Sequence, residues 1–504
     1  MNTFTQSASN VAVRELNKST TTNGAAAYKS TLCANLDFFS RSGNINYPNA
    51  LHDFKLALAE DEEIAIRNLL NTRDIREGKG IRQIAKNLLL HLVNDHPKLV
   101  LQSNIIQKFV ELGRWDDIFV VAEGGNNTIL NVVVKFIATE MRKEQPDALL
   151  FKWLPINSKK VSERKLISKL RSYLHLTPKE FRKFVSSKRV PFIPEYKFCT
   201  KQWSLLDYSS IPSQCFKKNK QSFQRNDSER FSTFIEAVIK GDDPKVKVNA
   251  NAVWPHEVIG SDVKFGWNGQ LSNADTITAA VEAQWKNLPN FMPEGLNILP
   301  VIDTSGSMTA TAYSNYSCMH VSLSLGIYLA ERNKSAFKDL FITFNTNPQF
   351  VSLANQSTLL GKYSETAKAP WSGTTNIMAS FDLILKHAIT HKVPQSDMPE
   401  YLLVLTDMNF DQNRQDPSLT IFEAMRKRYH DAGYEAPTLV FWNLSSQRTD
   451  NTPVLFNDKG SVLVSGYSPS VLKAIFENTL DTYTPVNVMC QTLFKARYQL
   501  TFTN

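Results

Sequence analysis

The sequence predicts two parts in series: an antiparallel, HEAT-like α-helical domain, then a doubly wound α/β domain with a mostly parallel sheet. Three observations carry that expectation. Ile81, Ile84, Ala85, Leu88, Leu89 and Leu92 fall at i, i+3, i+4, i+7, i+8 and i+11, one apolar stripe of helical period. From Leu296 onward, short apolar runs alternate with helical segments, the pattern of a sheet covered on both faces. Finally, the run Asn297-Ile-Leu-Pro-Val-Ile-Asp303 continues as Thr304-Ser305-Gly306-Ser307. That places an Asp-x-Ser-x-Ser cluster at a strand's carboxyl end, where open α/β sheets bind ligands.

Residues 1–19 are polar, rich in Ser, Thr and Asn, and read as a mobile arm. With no basic start followed by an apolar core, they do not read as a signal peptide. Leu36-Asp-Phe-Phe39 marks the first packed helix of a helical domain over 20–290. Segments 54–71, 99–112 and 116–142 repeat the helical pattern, with breaks between them, and Pro97 ends the helix before it. Stacked helices follow, although no strict repeat length is visible. Residues 240–295, with Gly260-Ser-Asp and Asn268-Gly-Gln, read as a connector holding one or two helices. The α/β domain takes 291–504. Its further strands are expected at Leu340–Phe344, Phe350–Leu353, Tyr401–Leu405, Thr438–Asn443 and Val462–Ser465. Helices are expected at 318–333, 377–387, 420–433 and 469–478.

At 504 residues the chain has room for two or three domains, and 42% hydrophobic with 21% charged residues is ordinary for a globular protein. No apolar run reaches the roughly 18 residues of a membrane-spanning helix. Five scattered cysteines (Cys33, Cys199, Cys215, Cys318 and Cys490) suit free thiols in a reducing, cytoplasmic compartment. The net charge of +9 is unevenly placed. Residues 296–504 hold 16 basic and 17 acidic side chains, leaving the basic excess in the first part. Ser158–Val190 alone holds 11 basic and 2 acidic residues. A basic half beside a neutral half points to a polyanionic partner for the basic one.

Within that half, Lys159, Lys160, Arg164, Lys165, Lys169, Arg171, Arg182, Lys183, Lys188 and Arg189 are the candidates for phosphate contact. A second run, Lys217, Lys218, Lys220, Arg225 and Arg230, is interleaved with Phe216 and Phe223, which are candidates to stack on unpaired bases. Arg73, Arg76, Lys79 and Arg82 form another candidate patch. There Gly78 and Gly80 either bring backbone N–H groups near a phosphate or simply turn between helices. A charge run is often just a solvated helix face, and two runs in one domain weigh against that reading.

In the second half, oxygen-bearing side chains at alternate positions suit a small hard cation such as Mg²⁺. The cluster resembles the metal-ion-dependent adhesion site (MIDAS) of von Willebrand factor A (vWA) domains. By that resemblance Asp303, Ser305 and Ser307 are the first ligand loop. The resemblance also implies a threonine from Trp371-Ser-Gly-Thr-Thr-Asn376, with Thr375 as first choice and Thr374 second, and an aspartate, Asp407, after the Tyr401–Leu405 strand. The bland alternative is that these residues only cap strands and helices. Asp411 lies nearby, but two-metal hydrolysis needs more carboxylates than this. Neither a Walker-type phosphate loop nor a Gly-x-Ser-x-Gly elbow is present, so no catalytic residue is assigned and the chain does not read as an enzyme. His387 and His391, four apart, read as an exposed helix face, and His256 as packed or capping.

Several phrases elsewhere carry a wider resemblance: Arg73-Asp-Ile-Arg-Glu-Gly-Lys-Gly80, Gly113-Arg-Trp-Asp-Asp117, Phe151-Lys-Trp-Leu-Pro155, Leu176-Thr-Pro-Lys-Glu-Phe181, Leu206-Asp-Tyr-Ser-Ser-Ile-Pro-Ser213 and Trp254-Pro-His-Glu-Val258. Together with the C-terminal half, they are similar to a Ro-like family from plants, fungi and large DNA viruses. Ro-like proteins pair a helical TROVE domain with a vWA domain. The resemblance implies structured or misfolded RNA as the ligand, bound on a basic helical ring that the vWA domain closes. It implies neither a membrane nor a small-molecule substrate. The sequence therefore favours a non-enzymatic RNA-binding protein whose metal site holds or positions a partner. The competing expectation is a metal-dependent protein scaffold, for instance a virion or assembly component.

Overall fold

The structure, a computed structural model, describes residues 11–189, 194–266, 270–369, 371, 373–445, 451–477 and 482–502. Residues 1–10 of the expected arm, Ser372 of the Gly-Thr loop and Asn268 of the connector lie outside this set. The chain packs as two compact units, each discontinuous in sequence. One comprises 1–61 with 253–493, and the other 62–252 with 494–504.

The first unit is built on a six-stranded sheet. Its strands are β1 Ile298–Asp303, β2 Leu340–Phe344, β3 Gln349–Ser352, β4 Tyr401–Thr406, β5 Thr438–Asn443 and β6 Ser461–Ser465. The order is β6-β5-β4-β1-β2-β3. All neighbours are parallel except β2 and β3. Every residue of β1 and β6 is buried, as expected for strands covered on both faces. Leu299, Val301, Leu402, Val404, Leu439 and Phe441 share one core with Phe381 and Ile384 of the Ile377–His391 helix and Phe422 and Met425 of the Ile421–Asp431 helix. The Cys318–Arg332 helix packs against β1, β2 and β4. Its Gly326 lets the helix lie close on Ile302, whose side chain would have to move to admit a Cβ.

Sequence order and packing part company at the N-terminus. Lys18–Thr20 pairs with Ala26–Tyr28 in a two-stranded ribbon, so the arm reading fails for its last residues. Phe38 and Phe39 are buried in the Ala34–Arg41 helix as expected, but that helix packs on β6 instead of joining the helical unit. Gly43 sits where any side chain would strike the Ser465 carbonyl, at 2.2 Å. The connector holds two short helices, Pro255–Ile259 and Ala279–Lys286. His256 is fully buried there, with Nε2 2.6 Å from the Tyr313 hydroxyl, a packed residue.

The second unit is helical, with α-helices of unequal length. The expected 116–142 helix is two elements, a 3₁₀ helix Trp115–Glu123 and an α-helix Asn127–Met141. The break falls at Gly124-Gly125-Asn126, where the Asn126 side chain accepts from the Ile129 amide at 3.1 Å and restarts the helix. The 3₁₀ segment packs against five α-helices: Gln83–Asp95, Ile105–Leu112, Asn127–Met141, Ala148–Trp153 and Val161–Leu174. The phrase Leu176-Thr-Pro-Lys-Glu acquires a physical meaning. Thr177 Oγ1 accepts from the Glu180 amide at 3.3 Å, and Glu180 Oε2 accepts from the Thr177 amide at 2.8 Å. This capping box, with Pro178 in the first turn, starts the Pro178–Arg189 helix. The chain's last segment belongs to this unit. Tyr498 is buried and donates to Asp74 Oδ2 at 2.8 Å, while Arg497 pairs with Asp74 at 2.8 Å.

Candidate metal centre and basic helical face

The sheet topology places the oxygen cluster. After β1 the chain moves to β2 on one side and later returns to β4 on the other, so the end of β1 is a topological switch point. Leu405 pairs with Ile302, which sets Thr406 beside Asp303 and Asp407 just beyond the sheet. The Thr406 hydroxyl donates to Asp303 Oδ2 at 2.7 Å, and the Ser305 amide donates to Asp303 Oδ1 at 2.9 Å. Ser305 and Ser307 hydroxyls lie 3.1 Å apart. Asp303, Ser305, Thr375 and Asp407 are all buried, and Ser307 is half-buried. Met408, the next residue, takes a left-handed backbone (φ 66°), a strained turn for a long side chain.

Of the two threonines, Thr375 shares the carboxylates' burial. Thr374 is exposed, and its amide donates to Thr346 Oγ1 at 3.1 Å. Gly373 makes that turn possible: its φ is +95°, and a Cβ would lie 2.3 Å from Thr346 Oγ1. Burial, and then the charge of Asp407, push the Asp303 carboxyl up to about 7. The remaining groups acting on it are hydroxyls and a backbone amide. Burial with the same two carboxylates also pushes the Cys318 thiol up to about 12. Two carboxylates and several hydroxyls sharing a buried spot fit a small divalent cation, whose charge would relieve that repulsion. Asp303, Ser305, Ser307, Thr375 and Asp407 would hold it. With so few acidic ligands, a bound ion would supply an electrophilic position able to take an outside oxygen.

A contribution the sequence did not announce comes from the N-terminal ribbon. Thr21 Oγ1 donates to the Phe410 carbonyl at 2.6 Å, and Asn23 Nδ2 donates to the Asn409 carbonyl at 3.0 Å and to Asp411 Oδ1 at 3.1 Å. The loop after Asp407 is thus strapped by a segment nearly 400 residues earlier. Asn23, Thr374, Asn376, Asp382 and Asp411 line a polar cleft of about 540 Å³ there, with Arg414 and Arg428. An Asn-Gly turn at 23–24 was the available signal, but it names no partner.

In the helical unit the candidate cations separate by burial. Lys159, Lys160, Arg164, Arg182, Lys183 and Lys188 are exposed, and Lys165, Lys169, Arg171 and Arg189 are half-buried. Lys160 lies 3.6 Å from Glu163, Arg164 donates to the Lys159 carbonyl, and Lys169 donates to Asn131 Oδ1 at 3.0 Å. Lys159, Lys165, Arg182, Lys183 and Lys188 make no ion pair among the described residues. Arg189 is committed elsewhere: it donates to the Phe151 and Leu154 carbonyls and closes the Ala148–Trp153 helix.

The Arg73 group is not the surface patch that the charge run suggests. Arg73 is buried and donates from Nε to Asp117 Oδ2 at 2.7 Å; Arg82 reaches Asp117 Oδ1 at 2.8 Å and also pairs with Asp116. Lys79 is buried, and desolvation lowers its pKa well below the ordinary lysine range. These side chains hold helices together, and only Arg76 of the predicted four is exposed. The 78–80 loop is a helix-to-helix turn. Its Lys79 and Gly80 amides donate to the Asn71 and Asp74 carbonyls, so they do not await a phosphate. Phe216 and Phe223 are likewise fully buried, packed with Tyr208 and Phe231. They are core aromatics and do not present a face to a base.

With the geometry in place, comparison with known proteins adds a family. The sequence family described as Domain of unknown function (DUF2828) matches residues 21–117 and 125–294, more than half of the chain. The chain belongs to the DUF2828 family. A second family, Domain of unknown function (DUF7788), matches 297–491, the stretch holding the sheet and all five candidate metal ligands. Beside the DUF2828 match, an uncharacterized protein of Acanthamoeba polyphaga mimivirus is 28% identical, with 95% of this chain and 87% of that protein covered. Among solved structures, the Deinococcus radiodurans RO (RSR) protein aligns over 85% of this chain and 90% of its own, at 15% identity and a TM-score of 0.35.

Proposed function

We propose that this chain is a non-enzymatic, Ro-like RNA-binding protein acting in the cytoplasm. Its helical unit, of TROVE type, binds structured or misfolded RNA, and its sheet unit, of vWA type, carries a Mg²⁺ site that docks a partner. The observation that carries the RNA reading is the exposed cation set on 159–188. Lys159, Lys165, Arg182, Lys183 and Lys188 lie on the surface or partly so, without an acidic partner among the described residues. Cations left without internal partners suit phosphate neutralisation with counterion release. The buried Asp303–Asp407 pair supports the cation reading for the other unit.

The test is RNA capture by crosslinking and sequencing, with a variant carrying Lys159→Glu, Lys160→Glu, Arg164→Glu and Lys165→Glu. Enriched structured RNAs that disappear in the variant support the proposal. Absence of enrichment, together with co-purifying proteins lost on chelation, favours a metal-dependent scaffold instead. The buried oxygen cluster is the observation behind that second reading, in which the chain serves as an assembly or virion component.

A further inference from the structure

We infer that a groove between the Asn127–Met141 and Val161–Leu174 helices is a subsite for an unpaired nucleotide. This rests on the RNA-binding reading of the helical unit and specifies it. The groove encloses about 700 Å³ and is lined by Asn131, Val132, Lys135, Lys169, Ser172 and Tyr173 among others, two of them lysines and none acidic. Tyr173 and Val132 are 40% and 41% exposed, an aromatic and an aliphatic surface left to solvent within one groove. The Arg142 guanidinium lies 5.3 Å from the Tyr173 ring centre and donates to the Tyr173 carbonyl at 3.4 Å. Ring and cation are therefore held together without being buried. Lys169 reaches across to Asn131 Oδ1 at 3.0 Å, which orients the Asn131 amide and keeps a positive charge in the groove lining.

Each part matches one part of a nucleotide. An exposed aromatic ring offers a stacking face to a base. Lys135 and Lys169 neutralise the flanking phosphate. The Asn131 amide and the Ser172 hydroxyl supply hydrogen-bond groups for base or ribose edges. A base within a duplex keeps its faces stacked on its neighbours, so the subsite selects unpaired segments. An acidic peptide would use the lysines but not the ring. The sequence pointed to Lys169 in the basic run. Tyr173 stands one turn on from Lys169 along the same helix, and Lys135 joins them only because two helices lie side by side.

The experiment is fluorescence anisotropy of the full chain with labelled oligouridine, an RNA duplex and oligoglutamate. The variants are Tyr173→Ala, Tyr173→Phe and, outside the groove, Arg182→Ala. Tyr173→Ala is expected to weaken oligouridine binding roughly ten-fold and to spare the duplex. Tyr173→Phe keeps the stacking face and stays within about two-fold of wild type. Arg182→Ala weakens both RNAs alike. Unchanged oligouridine binding in Tyr173→Ala, an equal loss for the duplex, or oligoglutamate binding as tightly as oligouridine would overturn the subsite while leaving RNA binding intact. Wild-type protein that binds neither RNA would overturn the proposed function as well.

Discussion

The oxygen cluster of the sheet unit and the cationic face of the helical unit are opposite solutions to placing charge. The first is buried and pre-arranged: Asp303 is wholly inside, fixed by Thr406 and the Ser305 amide, and its carboxyl is pushed up to about 7. The second is exposed, and Arg182, Lys183 and Lys188 stay on the surface of one helix. Buried charge acts through geometry, because desolvation makes every neighbour count. Exposed charge acts through number, because water screens each group and only the sum attracts a polyanion. The same contrast recurs inside the helical unit, where Arg73 and Arg82 converge on Asp117 while Lys159 and Lys183 face solvent.

The largest effects are expected where charge is buried. Arg73→Ala removes one of the two arginine ion pairs of the buried Asp117 and is expected to cost about 3–5 kcal/mol in urea denaturation. A loss of less than about 1 kcal/mol would mean that the network is not structural. Next is acidification. Burial lowers the His320 pKa to about 4, so the folded chain holds it neutral while the unfolded chain protonates it at about 6.5. The unfolded state therefore takes up the proton first. Stability falls as pH drops from about 6.5 to about 4, by on the order of 3 kcal/mol. His320→Phe, measured by thermal melts across that range, should flatten the slope, and an unchanged slope would assign it to other groups.

A smaller effect tests the metal loop. Gly373→Ala adds a Cβ where Thr346 stands and strains a positive φ, for an expected loss of about 1–3 kcal/mol. In the wild type, Mg²⁺ at a hundred times its dissociation constant should raise stability by about 2.7 kcal/mol, read as a melting shift that EDTA reverses. That shift should shrink in Gly373→Ala and vanish in Asp303→Asn. A shift retained in Asp303→Asn would place the ion elsewhere. The smallest stability change belongs to the exposed end. Lys183→Ala should stay within about 0.5 kcal/mol of wild type yet lessen the salt dependence of RNA binding.

Much of the sheet was legible because strand burial on both faces leaves continuous apolar runs, and Asp303 and Asp407 stand directly after two of them. The Arg73 patch was misread because a charge run looks the same whether it meets solvent or a buried carboxylate; Asp117, 44 residues away, decides which. Phe216 and Phe223 were misread for a related reason, since interleaving with lysines on a helix places the two residue types on different faces.

The six strands of the main sheet, most of the helices, the residue types at the switch point and the excess of positive charge before residue 296 were legible from the sequence. These depend on local periodicity and composition, which a chain carries before it folds. The packing of distant segments decided that 1–61 joins 253–493, that Asn23 straps the loop after Asp407, and that Lys135 shares a groove with Lys169 and Tyr173. Those facts depend on which separate surfaces bury one another, and no local pattern encodes a partner on another element.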